Sequence, residues 1–197
     1  MEFQRVVRKR KMVRTFLDRP LEPDAVDRIL RTAHRAPSAG FTQGYAFLVF
    51  EGRETSAFWE AAFQGTAPDG WAPGLMRAPL IVVTLTSKQA YLDRYAEDDK
   101  GWSDRDESRW SAPYWYIDAA FASMLILLAA VDEGLGALFF GIFPPENVPS
   151  LLARFGVPPR YEAIGAIAVG YPDDDPVPSS ARRGRRPLGD VVHRGHW

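Results

Sequence analysis

Arg10, Lys11 and Arg14 stand within a five-residue stretch, and near the other end of the chain Arg183 and Arg185 are separated by one glycine. Guanidinium forks match phosphate oxygens bidentately, so such groups are phosphate ligands where they converge. Arg10-Lys11-Met12-Val13-Arg14 runs straight into an extended Thr15-Phe16-Leu17, which sets the charges at an element boundary where backbone N–H groups are free to join them. Arg183 and Arg185 share a side if the chain there is extended. A basic run, with Arg5, Arg8 and Lys9 nearby, also reads as a solvated face, and the arginine tail as a solvated tail.

A third stretch, Ala36-Pro37-Ser38-Ala39-Gly40-Phe41-Thr42-Gln43-Gly44, precedes a strand. Its small residues let a flat ring approach the backbone, and Ser38 and Gln43 can hydrogen-bond the ring's edge. Its plainer reading is a helix-to-strand loop.

Other chemistries are excluded or poorly supported. The chain has no cysteine and three histidines, so thiolate and dithiol chemistry are absent. His193 and His196 have a metal-like spacing, but His34 is far away and no metal site is expected. Gly134-Leu135-Gly136 begins like a dinucleotide fingerprint, yet Phe139 occupies the third glycine's place. Ser38 lacks a nucleophile-elbow context. With no acid–base or nucleophilic machinery in view, a cofactor must carry any catalysis.

The elements that position these groups follow from periodicity. Glu2 to Lys11 reads as a basic helix, and Asp24 caps a helix with Val26, Ile29, Leu30 and Ala33 at helical spacing. Tyr45 to Phe50 and Leu80 to Leu85 read as strands, with a helix from Glu54 to Gln64 and a loop at Pro68 to Gly74 between them. Tyr116 to Glu133 is a helix apolar nearly all round, hence buried on most sides and stopped by Gly134. Ala137 to Phe143 is a strand, Pro145 to Phe155 a short helix and Ala163 to Val169 a buried strand. Residues 88 to 113 read as a polar, aromatic excursion.

Helices and strands mix without regular alternation, so the expected class is α+β with a mostly antiparallel sheet. The 197 residues, 46% apolar and 13% aromatic, suit one globular domain, residues 1–197, with 173–197 as an arm on a partner subunit. A net charge of −1 favours neither nucleic acid nor membrane. The N-terminus lacks an apolar signal core, and Ala119 to Val131 is shorter than the roughly 20 residues a bilayer needs. A soluble, cytoplasmic protein is expected.

Taken in order, these segments resemble the nitroreductase family of flavoproteins. The family's opening motif, approximately Arg-Arg-Ser-hydrophobic-Arg-x-Phe, reads here Arg10-Lys11-Met12-Val13-Arg14-Thr15-Phe16. Its second, near Pro-Ser-x-x-Asn-x-Gln-Pro-Trp, reads Pro37-Ser38-Ala39-Gly40-Phe41-Thr42-Gln43-Gly44-Tyr45. Phe140-Gly141 resembles the segment beside the flavin ring, and Arg183-Gly184-Arg185 the phosphate-binding tail.

The resemblance implies a homodimer that binds FMN, takes electrons from NADH or NADPH and reduces a small conjugated acceptor such as a nitro compound or quinone by a ping-pong route. It implies that Arg10, Lys11 and the Met12 backbone hold the FMN phosphate together with Arg183 and Arg185. Arg14 reaches the ribityl chain or the ring's N1–O2 edge. Pro37, Ser38 and Ala39 contact flavin from the neighbouring subunit, and Phe140 and Gly141 present backbone N–H groups towards N5 and O4. Met12 stands where the family has serine, and Phe41, Gly44 and Tyr45 where it has asparagine, proline and tryptophan. A flavin-dependent dehydrogenase or oxygen-using enzyme, or a non-catalytic flavin- or polyanion-binding protein, are the alternatives.

Tyr91, Tyr95, Trp102, Trp110, Tyr114, Trp115 and Tyr116 crowd the excursion. It reads either as an aromatic-packed surface or interface, or as a lid in which Trp110 and Trp115 stack a planar acceptor.

Overall fold

The computed structural model describes residues 1–64, 73–174 and 183–197. Four strands form one sheet, β1 (Tyr45–Glu51), β2 (Leu80–Thr86), β3 (Gly136–Phe140) and β4 (Glu162–Gly170), in the order β1-β2-β4-β3 with every neighbouring pair antiparallel. Among the described residues six α-helices surround it: α1 (Phe3–Lys9), α2 (Ala25–Ala33), α3 (Glu54–Phe63), α4 (Lys88–Tyr95), α5 (Tyr114–Asp132) and α6 (Val148–Arg154). The α+β class and antiparallel sheet expected from the sequence are observed.

β2 shows how the layers arise. Every residue of it is buried, so both its faces need apolar partners, and the pleat deals its side chains alternately. Ile81, Val83 and Leu85 pack with Phe58, Trp59 and Leu151 of α3 and α6. Leu80 and Val82 pack with Ile29 of α2 and with Ile126, Leu127 and Ala130 of α5. Thr84 and Thr86 turn the same way as Leu80 and Val82 but meet polar groups: the Ser123 hydroxyl donates to Thr84 Oγ1 at 3.0 Å, and the Thr86 hydroxyl to the Trp115 carbonyl at 2.7 Å.

Some expectations change. Asp24 does precede α2, but its own backbone is left-handed (φ 62°) and its side chain makes no cap bond. The 88–113 excursion contains a helix, α4, with Tyr91 and Leu92 buried. The helix around Ala119 to Val131 extends to 19 residues, long and apolar enough on length and composition to cross a bilayer. Its packing against α2 and the sheet accounts for that apolarity. It is also less enclosed than expected, because Tyr116, Phe121 and Met124 are exposed. The Pro68 to Gly74 loop lies mostly outside the described residues, as does part of the expected 173–197 arm.

Candidate functional site

The basic segment is built by docking the chain against the edge of the sheet. α1 ends as the Arg10 N–H closes on the Val6 carbonyl at 3.0 Å. The chain then straightens: Met12 bridges Ala137 of β3 in parallel sense, and the Val13 N–H donates to the Ala137 carbonyl at 3.0 Å. Phe16 bridges Pro172, and the Leu17 N–H donates to the Tyr171 carbonyl at 2.9 Å. Buried Val13 and Phe16 are the apolar anchors. Gly136 permits the approach, since a Cβ there would lie 2.7 Å from Val13 Cγ2.

Alternation along this extended run divides the cations. Lys9, Lys11 and Val13 line a recess of about 210 Å³ with Gly134, Leu135, Gly136 and Pro172. Arg10 and Arg14 are not among its lining residues; both are half-buried, and Arg14 donates to the Met12 carbonyl at 3.2 Å. The structure thus sets Lys11 apart from Arg10 and Arg14.

Met12 lies beside Ala137 near the start of β3, and Phe16 beside Pro172, past the Gly170 that pairs with Gly136, so the segment after Val13 heads towards the start of β3 while the strand itself runs away from it. The strand closes on half-buried Phe140 and exposed Gly141. Phe140 lies parallel to Trp59, with 5.6 Å between centroids and 15° between planes. A Cβ at Gly141 would meet nothing within 4 Å, so a planar ligand has room to approach this backbone.

The Ser38 loop lies elsewhere. It folds as a 3-10 turn over Ala39–Phe41, with Gly40, Phe41 and Gln43 all at positive φ. The Ser38 hydroxyl oxygen accepts the Gln43 N–H at 2.9 Å, and the Thr42 hydroxyl donates to the Ala39 carbonyl at 2.6 Å. The Tyr45 hydroxyl, donating to the carbonyls of His34 and Ala36, ties the loop's start to β1. Pro37 is exposed; Ser38 and Ala39 are half-buried.

This loop leads into β1 at the same end of the sheet as Phe140, but β1 and β3 are opposite edges with β2 and β4 between them. Three inter-strand spacings of about 4.8 Å separate them. Arg183 and Arg185 are exposed, as is every residue from 183 to 197. One chain therefore does not assemble the sequence-expected residues into one site.

Trp110 and Trp115 pack inside the excursion. The Trp110 ring lies 4.4 Å from Tyr95, 5.4 Å from Trp102 and 6.1 Å from both Tyr91 and Trp115. Trp115 is buried, and Trp110 Nε1 is buried without a hydrogen-bond partner among the described residues.

One polar residue of this region was not foreseen. Asp118, on α5, accepts both the Ala39 N–H and the Tyr91 hydroxyl. Burial, then the hydrogen bond to Asp118, pushes the Tyr91 phenol well above its ordinary range, and burial raises Tyr45. The only available signal was one acid within a long apolar helix.

A mostly antiparallel sheet between helices, with a basic segment docked on one edge strand and a small-residue loop leading into the other, defines an α+β class of protein. A model of the nitroreductase family matches residues 7–171, and the chain belongs to that family. An Archaeoglobus fulgidus protein named for NADH dehydrogenase or NAD(P)H nitroreductase activity is 26% identical over 197 residues, covering 100% of this chain and 99% of its own. An NADH dehydrogenase of Thermus thermophilus is 28% identical, covering 93% of this chain and 91% of its own. Among solved structures, a Desulfovibrio desulfuricans protein in complex with FMN superposes with a TM-score of 0.72 at 22% identity, covering 100% of this chain and 98% of that one.

Proposed function

We propose that this protein is an FMN-dependent oxidoreductase that takes a hydride from NADH or NADPH and delivers it to a small conjugated acceptor, a nitro compound or quinone, by a ping-pong route. The observation that carries this reading is the docking of the basic segment on β3, where Met12 bridges Ala137 and sets half-buried Arg10 and Arg14 beside the edge strand that ends on the open Phe140-Gly141 backbone. Arginine forks suit a phosphate, and an unobstructed peptide edge suits a flat ring. The relatives' names and the FMN-bound neighbour support it.

The residues fit FMN. Arg10 binds the phosphate, with the Met12 backbone, and Arg183 and Arg185 close on it from the tail. Arg14 supplies positive charge beside the chain or ring, and Phe140 and Gly141 orient the ring through backbone N–H groups. Lys11 contributes at longer range, since it lines the neighbouring recess. FMN, when bound, supplies the capacity to accept and release a hydride. Trp110 and Trp115 are the acceptor-side aromatics of this reading.

The site is completed in a homodimer. Pro37, Ser38 and Ala39 come from the second subunit, since the sheet holds this chain's own loop at the far edge from Phe140. Phe3 and Val7 on α1 and Tyr116, Phe121 and Met124 on α5 are exposed, and the two helices pack on one another, apolar surface fit for a second copy. The arm exposes Leu188, Val191, Val192 and Trp197, which suits exchange onto the partner. Each subunit is one domain, soluble and cytoplasmic, needing no metal, nucleic acid or membrane.

Chromatography of the cofactor released by denaturation tests the reading, with anaerobic bleaching of the protein-bound chromophore by NADH or NADPH. FMN and bleaching are expected. FAD, or no flavin after reconstitution, overturns it.

A further inference from the structure

Asp118 is 2% exposed. Its Oδ2 accepts two hydrogen bonds, from the Ala39 N–H at 2.8 Å and from the Tyr91 hydroxyl at 2.9 Å. Among the described residues no cation pairs with it. A buried carboxylate is retained only if its hydrogen bonds replace water, and the two donors come from different elements, the 37–44 loop and α4.

The same two elements are joined throughout their length. The Ser87 N–H donates to the Gly44 carbonyl at 2.9 Å, just ahead of α4. Arg94 Nε donates to the Gly40 carbonyl at 3.0 Å, while Asp99 grips that guanidinium at 2.6 and 2.8 Å. A Cβ at Gly44 would lie 2.4 Å from Tyr91 Cε2, and one at Gly40 2.7 Å from Tyr95 Cε2. Each glycine is the socket of a tyrosine from α4. The positive φ of Phe41 and Gln43 costs about 1–3 kcal/mol each and persists only where the surroundings over-determine it.

We propose that Asp118 is a positioning residue that fastens the 37–44 loop to α4, so that the loop assigned to the partner's flavin and the aromatic excursion move as one piece. The inference rests on the FMN reading for its consequence in catalysis, but not for the fastening itself. Because both bonds end on one oxygen, an asparagine carbonyl placed there keeps them, whereas alanine takes the acceptor from a half-buried N–H and a buried hydroxyl.

Hydrogen exchange followed by mass spectrometry on the full chain decides it. Asp118→Ala should speed exchange in residues 36–44 and 88–95 together, roughly tenfold or more, the range for lost hydrogen bonds to a charged group. Asp118→Asn should stay within about threefold of wild type, and residues 148–154 should not change. Tyr91→Phe, a milder variant, should loosen both segments together and keeps the test decisive should Asp118→Ala not fold. In FMN-loaded protein, Asp118→Ala should raise the KM for menadione more than it lowers kcat, with Asp118→Asn restoring both. Loosening of one segment without the other, or Asn failing as badly as Ala in a folded protein, overturns the proposal. Wild type that binds no FMN ends the flavin reading, while the exchange comparison still decides the fastening.

Discussion

The indole of Trp59 lies flat against the ring of Phe140, 15° from parallel with centroids 5.6 Å apart, and the opposite side of the same neighbourhood is closed by Phe63 stacked 5.5 Å from Trp59. Phe140 is thereby held where β3 ends, at the peptide assigned to the flavin ring. The stack converts core packing on α3 into the position of a site residue.

Trp59→Ala removes one face of this stack. It is expected to lower stability by about 3–5 kcal/mol, the usual cost of an aromatic-to-alanine change in a core. Trp59→Phe should recover most of that. Urea midpoints at constant m-value measure it, with flavin retention falling alongside stability in the alanine variant.

The edge cations should separate by side. Arg10→Ala and Arg14→Ala are each expected to weaken FMN by about 1.5–3 kcal/mol, as for hydrogen bonds to a charged group. Arg8→Ala should change little, because Arg8 is largely exposed and its ion pair among the described residues is with exposed Glu2 at 3.8 Å. Lys11→Ala should fall between them, as it faces the recess beside Gly136. Fluorescence titration of apoprotein with FMN gives the four affinities, and equal small losses would return the segment to a solvated face.

Removing residues 183–197 should release flavin and weaken the dimer together. Cutting earlier confounds the test, because the Asp173 N–H bonds the Thr15 carbonyl at 3.0 Å and Pro172 bridges Phe16. Light scattering after gel filtration and the visible spectrum provide the two readouts. A truncated protein that stays dimeric and yellow excludes the arm from both roles.

Tyr91 should leave a signature at high pH. Its phenol is raised above the ordinary value of 10.0, first by burial and then by Asp118. The folded state thus prefers the neutral phenol more than the unfolded chain does. Its contribution is fully present below pH 10 and declines as pH rises beyond, because the unfolded chain gains stability by ionising there. Tyr91→Phe should therefore lose less stability than wild type between pH 10 and 12, measured by urea unfolding at each pH.

Much of this architecture was legible because β2, β4 and α5 are long apolar runs whose periods leave little choice. The flavin-site residues were legible as types, but not by side: only the Met12–Ala137 register shows Lys11 turning away from Arg10 and Arg14. α4 was hidden because its buried residues, Tyr91 and Leu92, are adjacent rather than helically spaced, its other contacts being sockets at Gly40 and Gly44. Asp118 was hidden by the hydropathy around it. Its role depends on Ala39 and Tyr91, 79 and 27 residues away along the chain, and no local pattern encodes such a meeting.

Trp110 provides the sharpest test of the acceptor side. Its ring is packed by Tyr91, Tyr95, Trp102, Tyr114 and Trp115, yet its Nε1–H is buried without a partner among the described residues. An unmet buried donor costs about 1–3 kcal/mol, so Trp110→Phe, which keeps an aromatic ring and deletes that donor, is expected to be neutral or mildly stabilising. If the donor serves an acceptor's nitro or quinone oxygen, the same variant should raise the acceptor's KM while flavin content and the rate of bleaching by NADH or NADPH hold steady. Trp115→Phe, whose ring is buried beneath Lys88 at 5.9 Å, should alter stability before it alters KM. Initial rates with menadione varied against the nicotinamide should give parallel double-reciprocal lines in wild type and in both variants. Intersecting lines would exclude a shared, alternately occupied face, and an unchanged KM in Trp110→Phe would assign Trp110 to packing alone.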